Sequence, residues 1–240
     1  MPAMIDTDLP LCCGALSDAW PFARPLPGAR LISTYFDPAQ LAPTDFATVG
    51  VPEVRGVAKR QAEHLAGRLC AREALRQVTG IASVPAVGAD RSPQWPAQAS
   101  GSITHSHGWA AAIAAPLSQW RGLGLDAERL LTGKRAENLA TEILTPGELQ
   151  RLHGQTAEQR ALHISLTFSL KESLFKALYP LVHKHFYFQD AELFDLDPDQ
   201  GSARLRLLID LSEEWPAGSE LDGLYAQVDG HLLSVVAIAA

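Results

Sequence analysis

The segment Gly124–Glu128 reads Gly-Leu-Asp-Ala-Glu and ends an apolar run that begins at Trp120. Such a run is typical of a β-strand. Because strand side chains alternate between the two faces, Asp126 and Glu128 are expected to point the same way. Two acids after a strand are by themselves more often a solvated pair than a site, so the pair needs support from elsewhere in the chain.

That support comes from Glu172, which lies on a predicted helix next to Lys171 and close to Lys176. Three carboxylates make an oxygen-rich site that suits Mg²⁺, which takes its remaining ligands from water and substrate phosphates. The lysines would bind those phosphates as point charges. Glycines 122 and 124 are expected to let a ligand approach the strand backbone closely. The helix itself is predicted from an apolar stripe: Leu170, Leu174, Leu178 and Leu181.

The composition is that of an ordinary globular protein, with 240 residues and 47% hydrophobic content. The 20 basic residues against 27 acidic ones give a net charge of -7, which argues against a general nucleic-acid binder. Cys12, Cys13 and Cys70 have no metal-binding or disulfide spacing, so reduced thiols and a cytoplasmic location are expected. Asp6 and Asp8 precede a short apolar stretch, which indicates neither a signal peptide nor a membrane span.

The order of the predicted elements indicates an α+β fold. Two similar halves, residues 1–120 and 121–240, are each expected to pack a long helix on a small, mainly antiparallel sheet, with the active site in the cleft between them. One helix is predicted over 57–78, stopped by Gly80, and another starts at the capping box formed by Thr145 and Glu148. Pro180 should limit or kink the later helix. Strands are predicted over 29–36, 102–115 (as a strand or hairpin), 120–128, 186–188 and 203–209, with a final hairpin over 224–238.

Two further patterns suggest anion binding. His105 and His107 stand two apart; a transition-metal pair is less favoured than phosphate binding by His105 and the Thr104 hydroxyl, and His107 is expected in a turn. On the first long helix Arg60, Arg68, Arg72 and Arg76 share one broad face, which could bind phosphate or an acidic partner or simply be solvated. Motifs typical of P-loop enzymes, dinucleotide oxidoreductases and α/β-hydrolases are absent from the sequence.

Taken together, the motifs resemble the 4'-phosphopantetheinyl transferases, in particular the surfactin-type class and its enterobactin synthase component D subgroup. The resemblance spans about residues 57–178 and rests on motifs in the family's order: Val57–Arg60 with Glu63, Ala66–Arg68, Pro93 with Trp95–Pro96, Gly101–His105, Gly124–Glu128, and Lys171–Ser173 with Lys176–Ala177. Departures from the common pattern are Ala127, Phe168 and His107, and none removes a charged group that the chemistry needs.

The resemblance implies a monomeric pseudodimer that binds coenzyme A and Mg²⁺ and moves the phosphopantetheine arm to a serine of an acyl or peptidyl carrier protein, releasing adenosine 3',5'-bisphosphate. It also implies roles for individual residues. The metal ligands would be Asp126, Glu128 and Glu172; Glu172 would be the base, supported by Lys176; and the coenzyme A phosphates would be held by Arg60, Arg68, Thr104, His105 and Lys171. Phosphoryl transfer needs mainly positioning, a metal and cationic charge, which agrees with this set.

Two other functions remain open from the residues alone. A Mg²⁺-dependent phosphodiesterase also needs clustered carboxylates and lysines, although the acidic balance disfavours a nucleic-acid substrate. A non-catalytic module that binds carrier proteins is the other alternative, and the presence of all three acids weighs against it. The preferred carrier, whether of fatty acid, siderophore or polyketide synthesis, is not readable from the sequence.

Overall fold

The computed structural model describes residues 9–240. The first of two units of the chain comprises the residues up to Trp20, together with Pro25–Arg121 and Ala239–Ala240. The elements of this unit in chain order are β1 (Arg30–Tyr35), α1 (Asp45–Val49), α2 (Ala58–Thr79), β2 (Ala86–Val87), β3 (Pro93–Gln94), β4 (Ala99–Ser106) and β5 (Trp109–Pro116). The sheet has the order β1-β5-β4, with both pairings antiparallel, and β2 and β3 form a separate two-stranded ribbon.

Helix α2 packs its apolar face against the sheet of this unit. Leu65 and Leu69 are fully buried against Ile32 of β1 and Ala112 of β5. The helix ends where Gly80 adopts a left-handed conformation (φ 76°) and donates its N–H to the carbonyl of Arg76. This is the stop that the sequence predicts, since glycine adopts positive φ without steric cost.

The turn between β4 and β5 places the histidines of the Thr104–His107 segment. His107 (φ 47°) and Gly108 (φ 80°) both have positive φ, which is the pattern of a two-residue hairpin turn. The Ser106 hydroxyl lies 3.0 Å from Nδ1 of His107. The predicted turn role of His107 and the hairpin alternative for residues 102–115 are therefore confirmed.

The second unit comprises Pro21–Arg24 and Gly122–Ile238. The elements are β6 (Trp120–Arg129), α3 (Gly133–Ile143), α4 (Pro146–Arg151), α5 (Ala157–Val182), β7 (Ala191–Asp197), β8 (Ser202–Leu207), β9 (Glu220–Val228) and β10 (His231–Ala239). The five-stranded sheet has the order β6-β10-β9-β8-β7, and from β7 to β10 each strand pairs antiparallel with the next one along the chain. Each unit thus packs a long helix on an antiparallel sheet, and the α+β prediction is confirmed.

Two glycines allow α5 to pack very close to β6. A Cβ atom built on Gly124 would lie 1.8 Å from the carbonyl oxygen of Ser173, and one on Gly122 would lie 2.6 Å from that of Ala177. The sequence-based expectation that these glycines admit a ligand is therefore wrong, because the helix backbone already occupies that space. The close packing fixes the register between the strand that carries Asp126 and the helix that carries Glu172.

Most of the remaining element predictions are confirmed. The Thr145 capping box forms, with the Thr145 hydroxyl accepting from the N–H of Glu148, and the final hairpin turns at Asp229–Gly230. Pro180 lies inside α5 two residues before its end. Residues 186–188 are not a strand, since Phe188–Asp190 forms a 3₁₀ turn, while α3 and β7 are absent from the predictions. Asp6 and Asp8 lie outside the described residues. Within residues 9–240, no helix has the length and hydropathy of a membrane span.

Candidate active site

An acidic cluster forms around the end of β6. Asp126 is 4% exposed, and its Oδ1 lies 2.7 Å from Nζ of Lys176 on α5. Lys176 also donates to the backbone carbonyl of Leu125 at 3.1 Å, which fixes the ammonium beside the strand. Oδ2 of Asp126 is buried without a hydrogen-bond partner. A buried carboxylate oxygen in this condition is costly, and it marks a place where a cation or a donor would be stabilised.

Burial raises the pKa values of Glu128 and Glu172, and neighbouring carboxylates add to the rise. Burial and the charge of Asp126 raise the pKa of Glu128 to about 7, although Lys176 acts in the opposite direction. Burial also raises the pKa of Glu172, and Asp126 adds to the rise while Lys176 opposes it. Mutual repulsion of this kind indicates that the three carboxylates are neighbours, and a divalent cation would relieve it.

The donor set therefore fits a hard divalent cation, as carboxylate oxygens suit Mg²⁺. Across residues 9–240, however, no group of three or more His, Cys, Asp or Glu side chains already has the spacing of a metal site. Lys176 provides the positive charge closest to Asp126 in this arrangement.

Lys171 lies in a different environment from the one expected. Its side chain is 2% exposed, and Nζ donates to Oε2 of Glu148 at 2.7 Å and to the carbonyl of Ile143 at 2.9 Å. Glu148 in turn accepts from the N–H groups of Thr145 and Leu193. These two bonds connect α5 to α3 and α4, and Glu148 extends the connection to β7. Lys171 thus forms a structural ion pair, and it also lines a pocket beside Glu172, so its contact with coenzyme A phosphate stays a prediction.

A second charged site, here called the cation pocket, lies in the first unit. It is a cavity of about 470 Å³ lined by Arg60, His64 and Arg68 of α2, His105 of β4, and Arg91. Arg68 is 7% exposed and its Nε has no hydrogen-bond partner. Burial lowers the pKa of Arg68, yet guanidinium stays charged at any ordinary pH. A buried, incompletely bonded guanidinium among other cations is suited to a phosphate.

The cation pocket separates residues that the sequence grouped together. His105 and Ile103 line it, whereas Thr104 is buried on the opposite face of β4, because successive strand residues alternate. Thr104 therefore does not line the cation pocket and is not expected to bind a phosphate there. Of the predicted basic face, Arg72 donates to the carbonyl of Val49 and Arg76 pairs with Glu73, so only Arg60 and Arg68 reach the pocket.

Two residues of the cation pocket, and a second pocket, are not predicted from the sequence. His64 and Arg91 line the cation pocket without belonging to a motif, although the spacing of His64 four residues from both Arg60 and Arg68 was a usable signal. An aromatic pocket of about 230 Å³ also adjoins Glu172, lined by Phe175, Phe186, Tyr187 and Phe188 among others. The signal for this pocket in the sequence is the aromatic run at 186–188, whose composition predicts a strand instead.

Comparison with known proteins identifies the family of this chain. The family model of the 4'-phosphopantetheinyl transferase N-terminal domain matches residues 54–115, and that of the 4'-phosphopantetheinyl transferase superfamily matches residues 122–236. The chain is 35% identical over 209 residues to 4'-phosphopantetheinyl transferase Svp of Streptomyces mobaraensis, covering 83% of this chain and 82% of that protein. It is 37% identical over 157 residues to enterobactin synthase component D of Escherichia coli O157:H7, covering 64% and 72%.

Among solved structures, the crystal structure of Thermotoga maritima holo-[acyl-carrier-protein] synthase matches with a TM-score of 0.36 and 24% identity, covering 48% of this chain and 61% of that one. The family matches and the extent of the likeness to Svp show that this chain belongs to the 4'-phosphopantetheinyl transferase superfamily. It is an enzyme that transfers phosphopantetheine from coenzyme A to carrier proteins.

Proposed function

We propose that this transferase depends on Mg²⁺ held by Asp126, Glu128 and Glu172, and that Glu172 is also the base for the carrier serine. The observation that carries the proposal is the acidic cluster. Three carboxylates of one unit influence each other's ionisation, and one buried oxygen of Asp126 lacks a partner. When bound, Mg²⁺ would supply positive charge that stabilises the pyrophosphate oxygens during transfer.

Glu172 is suited to accept the serine proton. Burial and the neighbouring charge of Asp126 raise the pKa of Glu172, which increases its affinity for a proton. Lys176 is held by Asp126 and by the Leu125 carbonyl, and its positive charge opposes that rise in pKa by favouring the ionised form of Glu172. The position of Glu172 is fixed by the helix packing at Gly124.

We propose that the cation pocket binds coenzyme A phosphate through Arg60, Arg68 and His105. These residues lie around one cavity, and Glu63 is the one carboxylate among the residues that line it. Phosphate would offset the remaining positive charge and give the guanidinium of Arg68 an acceptor. Lys171, which pairs with Glu148, and Thr104, which is buried on the other face of β4, are not part of this proposal.

The acceptors are proposed to be apo acyl and peptidyl carrier proteins. The aromatic pocket beside Glu172 offers apolar surface next to the base, where an acceptor has to bring its serine. The likeness to enterobactin synthase component D supports carriers of siderophore synthesis as one substrate class. We also propose a monomer in the cytoplasm; the three cysteines are free, which agrees with a reducing compartment.

The test is intact-mass spectrometry of an apo acyl carrier and an apo peptidyl carrier after incubation with the enzyme and coenzyme A. One reaction contains Mg²⁺ and the other contains EDTA. A gain of one phosphopantetheine per carrier that requires Mg²⁺ is the expected result. An equal gain in EDTA would overturn the metal assignment. No gain on either carrier would favour a binding module, and release of nucleotide from DNA or RNA would favour a phosphodiesterase.

A further inference from the structure

The cation pocket contains a titratable side chain, His64, to which neither the motifs nor the proposed function gives a role. His64 is half-buried on α2 and lies between Arg60 and Arg68 at intervals of four residues, so the three side chains share one helix face. The same three side chains line the cavity of about 470 Å³. A phosphate that contacts both arginines would therefore also lie within reach of the imidazole.

The charges around His64 are strongly unbalanced. Arg60 and Arg68 face it from its own helix, His105 from β4, and Arg91 from the segment between β2 and β3. Glu63 is the one acid in the lining, and it is shared: its Oε1 lies 3.9 Å from Nζ of the exposed Lys59 and 3.9 Å from Nδ1 of His105. The imidazole is thus surrounded by more positive than negative charge.

Burial and the surrounding positive charges both disfavour the protonated form of His64. Burial lowers the pKa of His64 most, and the charge of Arg68 lowers it further, as do Arg60 and His105. A hydrogen bond to the backbone carbonyl of Pro52 acts in the opposite direction and occupies one ring nitrogen as a donor. The second ring nitrogen is then the one that can gain a proton, and a nearby phosphate would favour that gain.

We propose that His64 is a further phosphate-binding residue, and that coenzyme A binding at the cation pocket is coupled to uptake of a proton by His64. The inference rests on the proposed assignment of coenzyme A phosphate to Arg60 and Arg68. The proton comes from the buffer and is bound between imidazole and phosphate, so no other reactant is needed. Linkage then gives the sign of the effect. Between the lower pKa of the free pocket and the higher pKa of the complex, affinity for coenzyme A rises as pH falls.

The test is titration calorimetry of coenzyme A into the whole enzyme, with Mg²⁺ constant and no carrier present. Repeating the titration in two buffers of different ionisation enthalpy gives the number of protons taken up. Phosphate monoesters titrate near pH 6 themselves, so the wild-type value is compared with that of His64→Gln. We expect the variant to bind coenzyme A roughly tenfold more weakly and to take up fewer protons. His153→Gln replaces an exposed histidine of the second unit and should match wild type.

Two further variants make the outcome decisive. His64→Lys supplies a permanent charge, so we expect it to bind coenzyme A better than His64→Gln without the additional proton. Proton uptake equal to wild type in both His64 variants would overturn the inference. Arg68→Gln tests the pocket itself. If Arg68→Gln weakens binding while His64→Gln does not, only the role of His64 fails; if neither weakens it, the assignment of phosphate to the cation pocket fails.

Discussion

The long helices α2 and α5 each carry a charged group that is paired within the fold and another that lies at a candidate binding site. On α2, Glu73 is bonded to Arg76 and Gln77, whereas Nε of the buried Arg68 has no acceptor. On α5, Lys171 is bonded to Glu148 and to the carbonyl of Ile143, whereas Glu172 has a pKa raised by burial and further by the charge of Asp126.

Buried charged groups of the two kinds are expected to have different roles, one structural and the other functional. A buried group with complete partners contributes to a single packed arrangement, and removing one member leaves the other uncompensated. A buried group without complete partners costs folding free energy that is recovered when a ligand or metal binds. Substitutions of the two kinds should therefore have opposite signatures, with stability lost in one case and activity lost in the other.

The largest expected effect is on catalysis by Glu172→Gln. We expect kcat to fall by about 10²- to 10⁴-fold, because both a general base and a metal ligand are lost. Stability should stay the same or rise, since the substitution removes the cost of burying a carboxylate charge, which is the largest cause of the raised pKa of Glu172. Carrier modification followed by mass spectrometry gives the rate, and thermal unfolding gives the stability. The matched control is Glu158→Gln, an exposed acid at the start of the same helix. Turnover of Glu172→Gln near that of the control would remove Glu172 from the site.

The next effect is on stability, in Glu148→Gln. This change leaves the ammonium of Lys171 buried without a negative partner, which should cost about 3–5 kcal/mol of unfolding free energy. Urea unfolding of this variant, of Lys171→Met and of the double variant forms a cycle, and the two single effects should not add because the residues are in contact.

The same cycle can contradict the structural role of Lys171. If Lys171→Met keeps its stability but loses affinity for coenzyme A, Lys171 binds phosphate as the family resemblance implied. The comparison between satisfied and unsatisfied charges on α5 would then be wrong.

A smaller effect is expected for Arg68→Gln. Loss of a charged donor to phosphate should raise KM for coenzyme A by roughly 10- to 100-fold, with a lesser change in kcat. The control is Arg72→Gln, one turn further along α2, whose guanidinium donates to the carbonyl of Val49. That variant should lose stability and keep its KM. If KM is unchanged in Arg68→Gln and raised in Arg72→Gln, the cation pocket is not the phosphate site.

The sequence predicts the fold better than it predicts contacts. The α2 stop at Gly80, the Thr145 capping box and the Asp229–Gly230 hairpin follow from local backbone chemistry, and all three form as predicted. Residues 186–188 have the composition of a strand but form no strand, because tertiary packing places their aromatic side chains around the pocket beside Glu172.

Contacts between distant residues were out of reach of the sequence. Lys171 and Glu148 are 23 positions apart, and nothing in either motif indicates that they form a pair. The glycines of β6 illustrate the same limit of prediction. A glycine in a strand indicates that another group packs closely against it, but the sequence does not identify that group. In this protein the helix backbone at Ser173 approaches Gly124, rather than a ligand.

The smallest expected effect concerns Glu73 and the pH dependence of stability. Burial would raise the pKa of Glu73, but hydrogen bonds from Arg76 and Gln77 and the nearby arginine charges lower it overall. A carboxyl group whose pKa is depressed by folding contributes stability that is present above its unfolded pKa and lost as pH falls through its folded pKa. Because Arg76 is half-exposed, solvent screening limits this contribution to about 0.5–1 kcal/mol.

Glu73→Gln should therefore be less stable than wild type at pH 7, with the difference shrinking as the medium is acidified below the unfolded pKa. Urea unfolding midpoints across that range measure the difference, and the exposed Glu142→Gln on α3 serves as the control. A difference that stays constant with pH would mean that the substitution acts through packing rather than charge. Glu73 would then no longer be the satisfied counterpart of Arg68 on α2.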